Sequence, residues 1–216
     1  LVRTPTATAA RATPRPTATR VPLPGRIAYM ARATAHDPWC IWVMRDDGTD
    51  PVRLTDGSSE DIMPAWSPEG SRLAFISNRS GNAEIYLVNR DGTGLQRLTN
   101  DPATDLAPQW SPDGQRIAFE SYRDGNMEIY TVAPDGSDLR NVSAEPKSDE
   151  HGPSWSPDGL WLAYYSNRDG NWDVFRMRAD GSAKTNLTMS ATLEQGPAYL
   201  GLGLVLLLAA QAMHVG

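Results

Sequence analysis

The stretch GPSWSPDGLWLAYYSNRDGN, residues 152–171, has two near-copies earlier in the chain, and the interval between them decides the fold. WSPEG begins at Trp66, and WSPDG begins at Trp110 and again at Trp155, giving steps of 44 and 45 residues. An apolar run follows each copy: RLAFIS from Arg72, RIAFES from Arg116 and LWLAYYS from Leu160. RIAYMA, from Arg26, fits the same slot without a preceding Trp motif. Next in each unit comes a second apolar run behind a Gly-containing turn, in RSGNAEIYLVNRDGT from Arg79, RDGNMEIYTVAPDGS from Arg123 and RDGNWDVFRMRADGS from Arg168. AHDPWCIWVMRDDGT from Ala35 is a degenerate first copy, and PVRLT, LQRLT, LRNVS and KTNLT close the four units.

Short runs rich in Ile, Val, Phe, Tyr and Trp, bounded by Ser-Pro-Asp-Gly or Arg-Asp-Gly-Asn, read as strand, turn, strand. Pro68, Pro112 and Pro157 preset the backbone of the first turn, and Gly70, Gly114 and Gly159 supply its positive φ. The period gives four short strands per unit with no 3.6-residue pattern, which is the signature of a propeller blade. One blade cannot cover its own two faces and must stack on its neighbours. Trp66, Trp110 and Trp155 then read as packing between blades.

Composition narrows the function. The net charge is −6, and four arginines with no acid lie in the first 25 residues, so the body is more acidic still. That disfavours a nucleic-acid partner held through phosphates. Cys40 is the single cysteine, so no internal disulfide is possible. His36, His151 and His214 share no metal-ligand spacing, and no metal or other cofactor is expected. Residues 1–24, rich in Thr, Pro and Ala, lack any apolar period and read as a disordered linker or stalk.

PAWSPEGSRLAFISNRSGNAEIYLVNRDGTGLQRLT and its two later copies resemble the WD40-like repeat of the TolB beta-propeller family, over roughly residues 26–200. The resemblance implies a propeller, usually of about six blades, found in bacterial periplasmic and surface proteins and as the non-catalytic part of some peptidases. Family members mostly bind partners, as TolB does within the Tol-Pal envelope system.

The expected architecture is all-β: a propeller of about four blades of four-stranded antiparallel sheet in residues 25–200, part of a larger propeller of six or so blades. The blades fall near 26–55, 61–99, 105–143 and 150–188, with a broken start at 194–200. The incomplete ring is favoured over a four-bladed ring in which GPAYL, residues 196–200, closes onto RIAYMA. Residues 201–216 form an apolar tail. Its continuous stretch, Leu200 to Ala210, would span about 16 Å as a helix, against about 30 Å for a bilayer core. A coding-frame slip or misplaced gene end accounts best for the abrupt change, with an aggregation-prone strand or a membrane-touching helix as alternatives.

An acid stands three positions before a proline in each unit: Asp61, Asp105, Glu150 and Glu194. One reading places them as a ring of negative charge at the channel mouth, able to hold a cation or a basic segment of a partner. The other pairs each with an arginine of the same period, Arg79, Arg123 or Arg168, as a structural device. The second is favoured. No Gly-x-Ser-x-Gly elbow occurs, and His151 near Ser154 lacks counterparts in other blades, so no enzyme is expected in this chain.

The functional expectation is a non-catalytic binding module of a bacterial envelope or secreted protein, taking a protein or peptide on its loop face. The location expected is periplasmic, secreted or cell-surface. Tethering to a membrane through regions outside this chain, and self-association to complete the propeller, fit the same picture. The alternative is an extracellular sensor or gating propeller of a larger membrane-bound enzyme, such as a receptor kinase or a peptidase.

Overall fold

The computed structural model describes residues 25–189, 193–200 and 204–206. The linker expected at 1–24, and the tail apart from one short strand, lie outside these residues. Among the described residues the secondary structure is all strand, in repeated antiparallel meanders. The first sheet runs β1 (Arg26–Ala31), β2 (Cys40–Arg45), β3 (Val52–Arg53). The second is β4 (Asp61–Trp66), β5 (Arg72–Ser77), β6 (Glu84–Asn89), β7 (Gln96–Arg97). The third is β8 (Asp105–Trp110), β9 (Ile117–Ser121), β10 (Glu128–Val132), β11 (Arg140–Asn141). The fourth is β12 (Glu150–Trp155), β13 (Trp161–Ser166), β14 (Asp173–Arg178), β15 (Thr185–Asn186). A final hairpin joins β16 (Ala198–Leu200) to β17 (Leu204–Leu206). Three blades are therefore four-stranded, and the first has three strands because its slot for an inner strand is empty of any described segment.

The two middle strands of blades two and three are buried on both faces because both faces are covered by neighbouring blades. Leu73 and Phe75 of β5 join Ile41 and Val43 of the first blade, whereas Ala74 and Ile76, pointing the other way, join Trp110, Ile117 and Phe119 of the third. Ala118 and Ile129 of the third blade pack in turn on Trp155, Leu162 and Tyr164 of the fourth. Period-two alternation thus feeds two seams from one strand. Each fully buried Leu, Ile or Phe contributes about 1.5–3 kcal/mol. Trp66, Trp110 and Trp155 sit at successive seams, and Trp155 Nε1 also donates to Gln109 O of the preceding blade at 3.1 Å.

The Ser-Pro-Asp/Glu-Gly turns are closed by a bond from the glycine amide to the serine carbonyl, at 2.8 Å for Gly70 and 2.9 Å for both Gly114 and Gly159. The serine hydroxyl then accepts the amide of the next strand's first residues, as in Arg72 N to Ser67 Oγ at 3.0 Å. Blades are stitched together by backbone bonds at the same period. The amides of Asp61, Asp105, Glu150 and Glu194 donate to the carbonyls of Trp39, Ala83, Met127 and Trp172 at 2.8–2.9 Å.

The ring is open. β16 pairs with β17, Ala198 opposite Leu206, so the described GPAYL segment folds back on its own continuation and leaves β1 as a sheet edge. The closed four-bladed alternative does not form among the described residues. The described part of the apolar tail, Leu204–Leu206, is a strand, which fits its run of Leu and Val and supplies backbone partners to β16.

Candidate functional site

Each inner strand begins with its carboxylate and bulges two residues later, between Ile62 and Ala65, Leu106 and Gln109, and His151 and Ser154. The bulge residue has positive φ in all three of these strands, Met63 at 53°, Ala107 at 50° and Gly152 at 62°, and Gly196, the corresponding residue two after Glu194, has φ 61°. This bend aims the carboxylates inward. Arg79 Nη2 lies 3.0 and 3.1 Å from the two Asp61 oxygens, and Arg123 Nη2 lies 3.0 Å from each Asp105 oxygen. In both cases Nε donates to the serine ending the adjacent strand, Ser77 or Ser121, at 2.8 Å. The guanidinium also covers an aromatic pair, with Arg123 at 5.6 Å from Phe119 and 4.6 Å from Tyr130. The carboxylate side chains are 0% exposed.

Asp61, Asp105 and Glu150 therefore do not form an open ring of negative charge; the arginines close over them. The reason is energetic, since a carboxylate withdrawn from water without a partner costs several kcal/mol. Burial pushes Asp105 above the usual carboxylate range, against the opposing pull of Ser121 and Arg123. In the fourth blade Glu replaces Asp and the pair loosens: Arg168 Nη2 is 3.4 Å from Glu150 Oε1 and also bonds Tyr164 Oη at 3.0 Å, while Nη1 turns to Glu145. Glu150 Oε1 is held by Ser148 and Ser166 at 2.6 and 2.7 Å, and Oε2 is buried without a hydrogen-bond partner. Burial foremost, with the charge of Glu128 nearby, pushes Glu150 up to about 7. Glu194 is placed at the same step before β16, its amide on Trp172 O.

Two features escape a reading by motif. One is a second buried acid in each complete blade, Glu84, Glu128 and Asp173, gripped by Asn82, Asn126 and Asn171 from two residues upstream. Its signal was the acid opening each EIY or DVF run. The other crosses the third seam: His151 Nδ1 meets Glu120 Oε2 at 2.9 Å, and the Gly152 amide donates to Glu120 Oε1 at 2.8 Å. Tyr165 and Trp172 pack on the imidazole at 5.3 and 5.5 Å between ring centroids. Burial works against the imidazolium, but the hydrogen bond to Glu120 and its charge win and raise His151 above its ordinary value. An acid inside the apolar RIAFES strand, where the neighbouring units have Ile76 and Tyr165, was the clue. His151 is thus engaged by Glu120 in a neighbouring blade. Among the described residues no three His, Cys, Asp or Glu side chains converge as a metal site requires.

These features define an open antiparallel β-propeller whose blades share one Asp/Glu–Arg strut per inner strand. The family model described as TolB beta propeller domain matches residues 15–214, and the chain belongs to that family. A protein TolB homolog of Chlorobium luteolum is 35% identical over 49 residues, 23% of this chain and 11% of that protein. The Tol-Pal system protein TolB of Desulfosudis oleivorans is 34% identical over 64 residues, 30% of this chain and 14% of that protein. Among solved structures, TolB from Acinetobacter baumannii superposes with a TM-score of 0.74 at 23% identity, over 88% of this chain and 48% of that one. A puromycin-hydrolyzing peptidase of Mycobacterium tuberculosis gives 0.66 at 17% identity, over 83% of this chain and 34% of that one. The chain thus spans about half the length of the TolB structure, and both likenesses are likenesses of fold.

Proposed function

We propose that this chain is a non-catalytic binding propeller of a bacterial envelope or secreted protein, which takes a protein or peptide on the face where the carboxylate–arginine struts end. Family membership carries the reading, together with relatives named for the Tol-Pal system. The struts support it physically, because they fix the loops after β5, β9 and β13 and present exposed groups such as Tyr122 and Met63 on a rigid frame. Nucleic acid is a poor partner for so acidic a body.

The test is site-specific photo-crosslinking in the bacterial host, with the probe at position 122 and a control probe at Leu139 on the outer strand connection. A discrete adduct from position 122 alone, in the periplasmic or surface fraction, supports the proposal. Equal labelling at both positions, or adducts confined to the cytoplasm, sinks it. The fold shared with the puromycin-hydrolyzing peptidase favours a second reading, a gating propeller of a larger enzyme. Hydrolysis by this chain that disappears in His151→Ala or Ser154→Ala would replace the binding reading with an enzymatic one.

A further inference from the structure

The buried acid that opens the third strand of blades two to four has a built receptor around it. Glu84 accepts from Arg97 Nη2 at 2.7 Å, from Thr99 Oγ1 at 2.5 Å, from Asn82 Nδ2 at 3.2 Å and from the Asp101 amide at 2.9 Å. The first blade keeps much of this receptor. Trp42 faces Arg53 across the strands as Tyr86 faces Arg97. The Ile41 amide bonds Thr55 Oγ1 at 3.0 Å, as the Ile85 amide bonds Thr99 Oγ1 at 2.9 Å. Arg53 Nε donates to Thr55 O at 2.6 Å, as Arg97 Nε donates to Thr99 O at 2.8 Å.

The acid itself is missing. Cys40 stands 44 residues before Glu84, Pro38 stands where Asn82 would be, and the Cys40 thiol turns to Pro38 O at 3.5 Å. Among the described residues Arg53 makes no ion pair. Gly57 occupies the place of Asp101, and a Cβ there would collide with the Arg53 guanidinium and crowd the Cys40 sulfur. Before these groups lies a cavity of about 400 Å³, lined by Cys40, Arg53, Gly57, Trp42, Arg32 and Asp37 among others. Arg32 lies over the Trp39 ring at 4.5 Å and donates to Ala35 O at 3.0 Å. Among the lining residues two guanidinium groups stand against the single Asp37 carboxylate, Glu60 being turned to the Trp39 amide at 3.0 Å, so the lining is positive on a chain of net charge −6. Such a spot concentrates anions, and a guanidinium recognises a carboxylate by paired charge-assisted bonds.

We propose that this first-blade cavity binds a carboxylate, a small organic acid or the glutamate side chain of a peptide, with Arg53 and Thr55 receiving it as Arg97 and Thr99 receive Glu84. The cavity lies at the strut end of the first blade, where the Asp61 amide donates to Trp39 O at 2.9 Å, and a ligand can fill it with no protein partner present.

Amide and guanidinium NMR shifts of the full chain report on it directly, titrated with N-acetylglutamate methylamide, with its glutamine counterpart and with acetate. Saturable shifts at Arg53, Thr55 and Gly57 are expected with the glutamate compound and absent with glutamine. If acetate saturates the same resonances, free small acids are ligands; if only the glutamate compound does, the ligand is a peptide side chain. Arg53→Gln, at an exposed position, weakens binding about tenfold or more with the fold retained. Cys40→Glu supplies the acid from within and abolishes binding. Equal affinity for glutamine, unchanged affinity in Arg53→Gln, or no saturable shift overturns the proposal.

Discussion

Arg123 shows what one side chain of the repeat does. It neutralises a carboxylate with no exposure, donates to Ser121 and lies over two rings, so its 13% exposed side chain replaces water around Asp105. Arg123→Ala leaves a buried unpaired charge and should cost about 3–5 kcal/mol in urea unfolding. Adding Asp105→Asn should recover a large part of that loss, since the charge is gone; a double variant no more stable than the single one contradicts the argument. His151 is the other residue whose surroundings can be read chemically. Burial lowers its affinity for a proton, yet the Glu120 carboxylate at 2.9 Å raises it above the ordinary value of 6.5. An NMR titration should find His151 above 6.5, and Glu120→Gln should lower it, because burial is then opposed only by the charges of Asp149 and Glu150. A histidine that titrates identically in both proteins rules out that pair in solution.

Within the inner strands, one position carries the local strain. The bulge needs a left-handed residue, and blades three and four answer differently: Ala107 at φ 50° and Gly152 at φ 62°. Left-handed backbone costs an L-residue about 1–2 kcal/mol. Ala107→Gly should therefore stabilise by roughly 1 kcal/mol, despite the extra freedom glycine gives the unfolded chain. Gly152→Ala should do worse than reverse that, since its Cβ would sit 2.7 Å from the Tyr165 ring that packs on His151. Thermal melts of the two variants with opposite signs confirm the bulge, and equal signs exclude it. This element also marks how far the sequence could be read. Trp66, Trp110 and Trp155 announced the period, and the two apolar runs behind each announced the middle strands, because those contacts repeat at fixed spacing. The bulge was less visible, since Met63 and Ala107 carry no glycine signal. The Glu120–His151 contact was hidden for another reason: it joins two blades and occurs once, so no periodicity points to it. The struts lay between these cases, their two partners repeating in step while nothing in the sequence showed how completely they would be buried.

Across the whole molecule, seams matter more than blades, and ionisation at the third seam sets how stability follows pH. Two opposing groups of acids are present. Turn carboxylates such as Asp47, Asp91, Asp135 and Asp180 are held below their usual range by hydrogen bonds from the hydroxyl, and then the amide, of the Thr or Ser two residues on. Their contribution is present above the unfolded value and is lost as pH falls below about 4. Asp105 and Glu150 behave in the opposite way, both raised by burial, Glu150 from 4.5 to about 7. Between those values the native chain holds a proton the unfolded chain has released, so stability declines as pH rises through that window, by up to about 3 kcal/mol. His151 adds to the same limb, because a raised histidine stabilises fully below 6.5 and loses that contribution as pH rises through its folded value. The chain should therefore be most stable at about pH 4 to 5 and weaken on both sides. Glu150→Gln keeps an oxygen for Ser148 and Ser166 while removing the titration, so it should flatten the decline between 4.5 and 7 and leave the acid limb alone. Urea unfolding across pH 3–9 decides it: a wild-type stability that climbs steadily from pH 4 to 8 would show that Glu150 is ionised at little cost.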